Sequence, residues 1–306
     1  MEKIVKYLGI LAIILTLFGW INSVFVLNQG IVDLTSILYI LLIIVSIAAV
    51  LLADKNLKIS SLLLIVIGVL VCCVKLFTGT TVGFGILGAL TAVVAGGLGV
   101  NKENPVLPLA ILAAIMSLVG WINSVFILEQ GFMGITSIIY IISIIIAIVC
   151  AFYSEKGIAP SAILLVTGLA VFIIKLFLGI SVGIGILGAV IAIIAGAVGL
   201  KKDNPTFYLA IIAGVIAIVG IAHALTTDPF VMGMLSFVIG GLIFIIAGTY
   251  SDKDLNVAST VLIIMAVALV LVKLMSSIAS PASGTWVTYI APLLALIAGA
   301  IGLAKE

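Results

Sequence analysis

The sequence predicts an all-α integral membrane protein of twelve transmembrane helices, arranged as three parallel four-helix repeats, that is, repeats in the same orientation. Hydrophobic residues make up 65% of the chain and charged residues only 8%, with a mean hydropathy of +1.57. A soluble domain carries about 25% charged residues, so no water-soluble fold would hide this much apolar surface. The lipid bilayer is therefore the first expected partner.

Apolar runs of transmembrane length fill almost the whole chain. A helix of about 20 apolar residues crosses the ~30 Å hydrocarbon core of a bilayer. In the first third of the chain the runs are Ile10 to Val26, Leu34 to Leu52, Ser61 to Phe77 and Gly83 to Val100. The rest of the chain contains their counterparts, separated by short charged or Gly/Pro-containing links, which predicts twelve spans.

The runs recur as an internal repeat. GWINSVFVLNQG from Gly19 returns as GWINSVFILEQG from Gly120, and a more divergent third copy keeps IVGIAHAL and LVKLM. Such repetition is a strong sign of repeated structural units, here predicted at 1–101, 102–201 and 202–306 of one continuous membrane domain. Because each unit holds an even number of spans, successive units enter the membrane in the same sense. They form either a pseudo-threefold ring or a side-by-side row.

Lysines lie mainly at one set of the predicted helix ends. All thirteen basic residues are lysines, and ten of them occupy these ends: Lys3, Lys6, Lys55, Lys58, Lys102, Lys156, Lys201, Lys202, Lys253 and Lys305. The opposite links carry no lysine. Because loops rich in Lys and Arg stay on the cytoplasmic side, we expect a multi-pass protein of the cell membrane with both termini in the cytoplasm.

The composition also disfavours several functional classes. A net charge of +2 gives no basic surface for nucleic acid. One histidine, His223, does not make the multi-histidine site typical of zinc, so no metal is expected. The sequence has no HExxH or Walker motif, and we expect no enzymatic activity. No acidic residue lies deep in a predicted span, which disfavours ion-coupled transport.

The fourth run of each repeat is rich in small residues. GFGILG from Gly83 and GIGILG from Gly183 match G-x-G-x-x-G, but the dinucleotide fingerprint follows a strand, so no cofactor is expected. Small residues let membrane helices approach closely. The predicted helix-packing contact consists of Gly88, Ala92, Gly96, Gly188, Ala192, Gly196, Ala291, Ala295 and Gly299.

The remaining three lysines, Lys75, Lys175 and Lys273, lie near the far end of the third run of every repeat. In one interpretation each side chain snorkels, with its aliphatic stem in lipid and its ammonium at the interface. In the other, the lysines face protein and line a polar cavity open to the outer side. A small residue lies seven positions earlier, on nearly the same helix face: Gly68, Gly168 and Ala266.

If the lysines face inward, other polar residues of the outer half of each bundle are expected to meet them. Asn22, Asn123 and His223 occupy one repeated position, and Tyr39 and Tyr140 another. Gln29, Gln130 and Asp228 are expected nearby. The predicted outer polar cluster is therefore Lys75, Lys175, Lys273, Asn22, Asn123, His223, Tyr39 and Tyr140.

Each repeat resembles the small uncharacterised four-helix membrane proteins found in prokaryotes. The likeness rests on a short charged link after the second helix, ADKNLK at Ala53, and on the glycine-rich fourth helix. The resemblance implies a four-helix membrane unit, here present three times, and it brings no known activity.

Two functions are compatible with these patterns. The first is passage or binding of a small uncharged or cationic solute, without ion coupling, through the outer polar cavity. The second is a non-transporting scaffold that binds its own repeats, another copy of itself or other membrane subunits through its glycine stripes.

Overall fold

A computed structural model of the chain describes residues 1–26, 30–77, 84–127, 134–177, 186–227, 234–279 and 287–305. These residues form twelve α-helices and no strand. The helices are α1 (Glu2–Ile21), α2 (Leu34–Leu52), α3 (Leu57–Phe77), α4 (Phe84–Val100), α5 (Val106–Ile122), α6 (Ile135–Tyr153), α7 (Ala159–Phe177), α8 (Ile186–Leu200), α9 (Pro205–Thr227), α10 (Met234–Tyr250), α11 (Leu255–Ala279) and α12 (Val287–Lys305). Helices α1 and α5 each continue into a π-helical turn, Asn22–Val26 and Asn123–Ile127.

Six of the helices are long and apolar enough to cross a membrane. They are α1 and α5, each counted with part of its π-helical turn, together with α2, α3, α6 and α11. The other described helices form shorter apolar stretches of 10–17 residues. Large apolar side chains such as Ile44, Val66 and Ile264 are exposed on the outward faces. The prediction of an all-helical fold is confirmed for the described residues, and their exposed apolar side chains are compatible with a lipid environment, while twelve spans stay a prediction.

The chain divides into two compact units, Met1–Leu200 and Lys201–Glu306. In the first unit, α4 packs between α1 and α3, and α2 packs on the other side of the same pair. Helix α8 likewise packs against α5 and α7, with α6 beside both, and α4 also contacts α5. In the second unit, α12 packs against α9 and α11, and α10 packs against the same two helices. Each quartet is thus a four-helix bundle with the same neighbours.

The fourth helix of each bundle is buried almost along its whole length. Every residue from 84 to 99 in α4, from 186 to 198 in α8 and from 290 to 301 in α12 is buried. A helix that is apolar on all sides belongs inside a bundle. Its small residues let the flanking helices approach the backbone, which places this helix at the centre of the packing.

Links between bundles carry caps and ion pairs at the lysine-bearing helix ends. The Asn101 side chain accepts hydrogen bonds from the backbone N–H groups of Glu103 and Asn104, ending α4. In the first unit Lys102 pairs with Glu2 at 3.1 Å, and Lys6 pairs with Asp54. These contacts bring the start of α1, the end of α2 and the end of α4 together at one end of the unit.

Candidate functional site

Lys75 lies in the last turn of α3 and points into the first bundle. Its side chain is 2% exposed. The Nζ donates a hydrogen bond of 2.7 Å to Oγ1 of Thr35 in α2 and lies 5.1 Å from the ring centroid of Tyr39. The ammonium is therefore held inside protein, as the inward interpretation expects, and does not extend along the lipid-facing surface.

Lys175 lies at the same place in the second bundle. It is also 2% exposed, in the last turn of α7. Its Nζ donates a hydrogen bond to the Tyr140 hydroxyl of α6 and lies 4.4 Å from the centroid of that ring. Since a nitrogen that is hydrogen-bonded to the hydroxyl lies beside the oxygen end of the ring, the hydroxyl is the main partner of the ammonium. Two bundles thus hold a buried lysine against a tyrosine of the second helix.

The start of α2 positions the groups that meet Lys75. The Asp33 side chain caps α2 by accepting a hydrogen bond of 3.2 Å from the backbone N–H of Thr35. Thr35 and Tyr39 are four residues apart and so share one helix face. Both are buried. This face of α2 turns toward α3, which explains why one lysine reaches both side chains.

Glycines of α1 and α4 make room for the Tyr39 ring. A Cβ atom added to Gly85 would lie 2.1 Å from Cζ and 2.5 Å from the hydroxyl oxygen of Tyr39. A Cβ on Gly19 would lie 2.2 Å from the backbone N of Gly85. The Tyr39 ring thus lies against the α4 backbone, which in turn lies against the α1 backbone, so α1 and α4 fix the position of the ring that Lys75 contacts.

The two asparagines of the predicted cluster lie in the π-helical turns. Asn22 is half-buried, and Asn123 is 8% exposed. Single π-helical turns are rare and occur frequently at functional sites. The structure therefore places Asn22 and Asn123 at the C-terminal ends of α1 and α5, while the contacts described above join each lysine to the second helix of its bundle.

The third bundle differs at the tyrosine position. The side chains of Lys273 and His223, and residues Gln29, Gln130 and Asp228, lie outside the described residues. Counting back thirteen positions from Tyr153 and from Tyr250, which open the matching links YSEK and YSDK, gives Tyr140 and Phe237. Phe237 is buried but has no hydroxyl. Among the residues that the structure describes, the lysine–tyrosine contact occurs in the first and second bundles.

The small residues of the fourth helices lie against neighbouring backbones. A Cβ on Gly88 would lie 2.2 Å from Oγ1 of Thr16, and one on Gly188 would lie 2.3 Å from Oγ of Ser117. A Cβ on Gly96, Gly196 or Gly299 would lie 2.4, 2.6 or 2.8 Å, respectively, from a backbone carbonyl oxygen of Ser61, Ser161 or Ser259. Ala92, Ala192, Ala291 and Ala295 are buried in the same helices.

The middle of the second bundle is nearly filled. A cavity of about 10 Å³ lies among the four helices, lined by Ser117, Ser143, Thr167 and apolar or small residues including Gly168 and Gly188. A water molecule needs about 10–15 Å³ of such volume. The Ser143 hydroxyl donates a 2.8 Å hydrogen bond to the Ile139 carbonyl of its own helix. This cavity has room for about one water.

Neither a metal site nor a known relative explains the lysines. No group of three or more His, Cys, Asp or Glu side chains is close enough to hold a metal among the residues that the structure describes. GISVG from Gly179 matches the spacing G-x-S-x-G, but it follows a membrane helix, whereas the nucleophile elbow follows a strand. Comparison with protein families, curated proteins and solved structures found no match.

Sequence reasoning identified both lysines and both tyrosines but missed three of their neighbours. Thr35 accepts the Lys75 hydrogen bond, Gly85 contacts the Tyr39 ring, and Gly19 contacts the backbone of Gly85. A signal for Thr35 was present, since LTSILYI and ITSIIYI both place a threonine four residues before the tyrosine. The two glycines carried no such signal, because glycine occurs throughout both helices.

Proposed function

We propose that the chain is a multi-pass membrane protein that binds a small solute at the buried lysines Lys75 and Lys175. The observation that supports this most is the burial of both ammonium groups at equivalent positions, each donating a hydrogen bond to a side-chain hydroxyl of the second helix. A lysine inside a membrane bundle is costly. A lysine at the surface would avoid this cost, so the occurrence of a buried lysine in two bundles favours a functional role.

The chemistry of the two lysine sites limits the class of solute that they can bind. Each site presents an ammonium donor together with a hydroxyl that both donates and accepts. A cation would be repelled by the ammonium at short range in a medium of low dielectric constant. The sites therefore suit a small solute with hydrogen-bond acceptor atoms, either uncharged or anionic, and the cationic solutes allowed by composition are disfavoured.

The nearly filled middle of the second bundle favours binding over passage. If solute crossed through a bundle, a polar path would have to continue from the lysine toward the opposite end. The cavity of about 10 Å³ among the helices of the second bundle holds no solute larger than water. Binding without transmembrane flux is therefore the expected behaviour of the second bundle.

The experiment is a binding screen on the purified full chain. Thermal stabilisation by acetate, lactate, chloride, phosphate, urea and glycerol is measured for the native chain, Lys75→Ala, Lys175→Ala and the double variant. Lys102→Ala is the matched control, because Lys102 is exposed and pairs with Glu2 at the opposite helix ends. We expect at least one solute to stabilise the native chain and Lys102→Ala but not the double variant. Equal responses from all five chains would refute the proposal.

The orientation and the number of spans belong to the same proposal. We infer that the protein crosses the cell membrane twelve times, in three quartets of helices with the same orientation. Both termini and the lysine-bearing helix ends lie in the cytoplasm. The recurring neighbours within the quartets and the placement of the lysines support this. Reporter fusions after Lys55, Lys156 and Lys253 should all report a cytoplasmic location, and one opposite result would overturn the shared sense.

A scaffold role is the second candidate. The buried glycine and alanine residues of α4, α8 and α12 support it, because they show helices built for close packing. Partners would be a second copy of the chain or another membrane subunit. Cross-linking in native membranes would show discrete higher-mass species for a scaffold, and a chain that stays a monomer while binding no solute would satisfy neither function.

A further inference from the structure

An apolar groove runs along the outside of the second bundle between α5 and α6. Its volume is about 280 Å³, and all the residues that line it are apolar. Its walls include Ile111, Ile115 and Ile148, which are 45%, 39% and 43% exposed. Both helices are among those long and apolar enough to cross a membrane. The groove is therefore an open indentation in a surface that faces hydrocarbon.

The groove extends from the lysine-bearing helix ends to about the middle of the membrane span. On α5 it runs from Leu107, one residue after the helix begins, to Leu118. Eleven residues of α-helix rise about 17 Å. One leaflet contributes about half of the ~30 Å hydrocarbon core, so the groove has the depth of a single leaflet.

Residues typical of the membrane interface lie at the lysine-bearing end of the groove. The Asn104 side chain donates a 2.8 Å hydrogen bond to Oγ of Ser154, which joins the start of α5 to the end of α6. Phe152 lines the groove and is 80% exposed, and the Lys156 ammonium lies 4.5 Å from the centroid of the neighbouring Tyr153 ring. Exposed aromatic rings and lysines at a helix end are typical of the headgroup level.

Two alanines produce the groove, and the first bundle lacks both. Ala114 and Ala151 line it and are only 7% and 4% exposed, so they form its floor. The repeat aligns these positions with Ile13 and Val50 of the first bundle. Val50 there packs closely on Gly9, since a Cβ on Gly9 would lie 2.6 Å from a Val50 methyl group. The larger side chains occupy the space that is open in the second bundle.

We propose that this groove binds one acyl chain of a membrane phospholipid, with its headgroup at the lysine-bearing side. The lining is apolar throughout, the depth matches one leaflet, and the polar and charged residues begin where the headgroup would lie. The proposal depends on the membrane location of α5 and α6 and not on the solute sites at Lys75 and Lys175.

The test measures phospholipid retained by the full chain purified in mild detergent, using native mass spectrometry after equilibration with palmitoyl-oleoyl phosphatidylethanolamine. Ala151→Val places the first bundle's residue in the groove and removes room for about two methylene groups of lipid. This corresponds to about a tenfold loss of affinity. Ala48→Val, at an exposed position of α2, is the matched control. We expect one retained lipid for the native chain and the control, and a tenfold weaker signal for Ala151→Val.

A second measurement locates the lipid. A phospholipid carrying a diazirine in the middle of its acyl chain is photolysed in vesicles that contain the full chain, and labelled peptides are mapped. Labelling concentrated on 107–118 and 144–152, and reduced in Ala114→Ile, supports the proposal. Uniform labelling of all exposed helices would overturn it. Cross-linked dimers through α5 and α6 would also overturn it, because a second copy of the chain would then occupy the groove.

Discussion

The contact between Lys175 and Tyr140 yields a prediction for the free energy of unfolding. Tyr140→Phe removes the hydroxyl that accepts the ammonium hydrogen bond, but keeps the ring that lies 4.4 Å from Nζ. A hydrogen bond to a charged group contributes about 1.5–3 kcal/mol in soluble proteins. Measured values between membrane helices average about 0.6 kcal/mol with a maximum of about 1.7.

The burial of both side chains determines how large the free-energy loss of Tyr140→Phe is within this range. Lys175 is 2% and Tyr140 1% exposed, so water does not replace the lost partner. We therefore expect a loss of about 1.5 kcal/mol, near the upper limit for membrane proteins. Tyr153→Phe is the matched control, because Lys156 also lies over that ring but Tyr153 is 49% exposed. Its effect should stay within about 0.5 kcal/mol.

The assay is reversible unfolding of the full chain in mixed micelles, titrated with a denaturing detergent. Lys175→Met and the double variant with Tyr140→Phe complete a double-mutant cycle, for which we expect a coupling free energy of about 1 kcal/mol. Additive single effects, or a Tyr140→Phe loss no larger than that of Tyr153→Phe, would show that the two groups do not interact in the folded protein.

Two further perturbations test other parts of the structure. Gly85→Ala should destabilise the folded chain by about 2 kcal/mol through overpacking, because the new methyl group would lie 2.1 Å from Tyr39. Gly30→Ala is the control, since a Cβ there has no atom within 4 Å, and it should leave the melting temperature nearly unchanged. Hydrogen bonds from Lys201 and then Asn204 lower the pKa of the Asp252 carboxyl. The stabilisation is therefore present above the ordinary carboxyl pKa and lost as pH falls through the lowered one. Lys201→Ala should raise the Asp252 pKa toward its ordinary value, as measured by NMR titration. An unchanged Asp252 pKa would contradict the contact between the two side chains.

The helices could be predicted from sequence because the bilayer imposes a simple requirement. Each backbone N–H and C=O group in hydrocarbon needs an internal partner, so an apolar run of sufficient length becomes a helix whatever its neighbours are. The runs beginning near Leu34 and at Ile135 accordingly become α2 and α6. The small residues of the fourth runs likewise indicated close packing, since backbone approach depends mainly on side-chain size.

The partners of the lysines could not be predicted with the same security. Lys75 lies near a helix end, where a long flexible side chain reaches either the interface or the bundle interior. The choice depends on whether Thr35 and Tyr39 are presented on the facing side of α2, which in turn requires the Asp33 cap and space at Gly85. Asp33 and Gly85, the most distant of these residues, are 52 positions apart, and no local pattern relates them.

Composition and periodicity by themselves determined that the chain is helical, that it is apolar enough for a lipid environment, and that three lysines recur at one position. These are properties of single segments, governed by backbone hydrogen bonding and by the cost of charge in hydrocarbon. Only the tertiary structure decided that Lys75 and Lys175 turn inward and that two alanines open a groove in one bundle. The reason is physical: side-chain direction and surface shape depend on which helices are in contact.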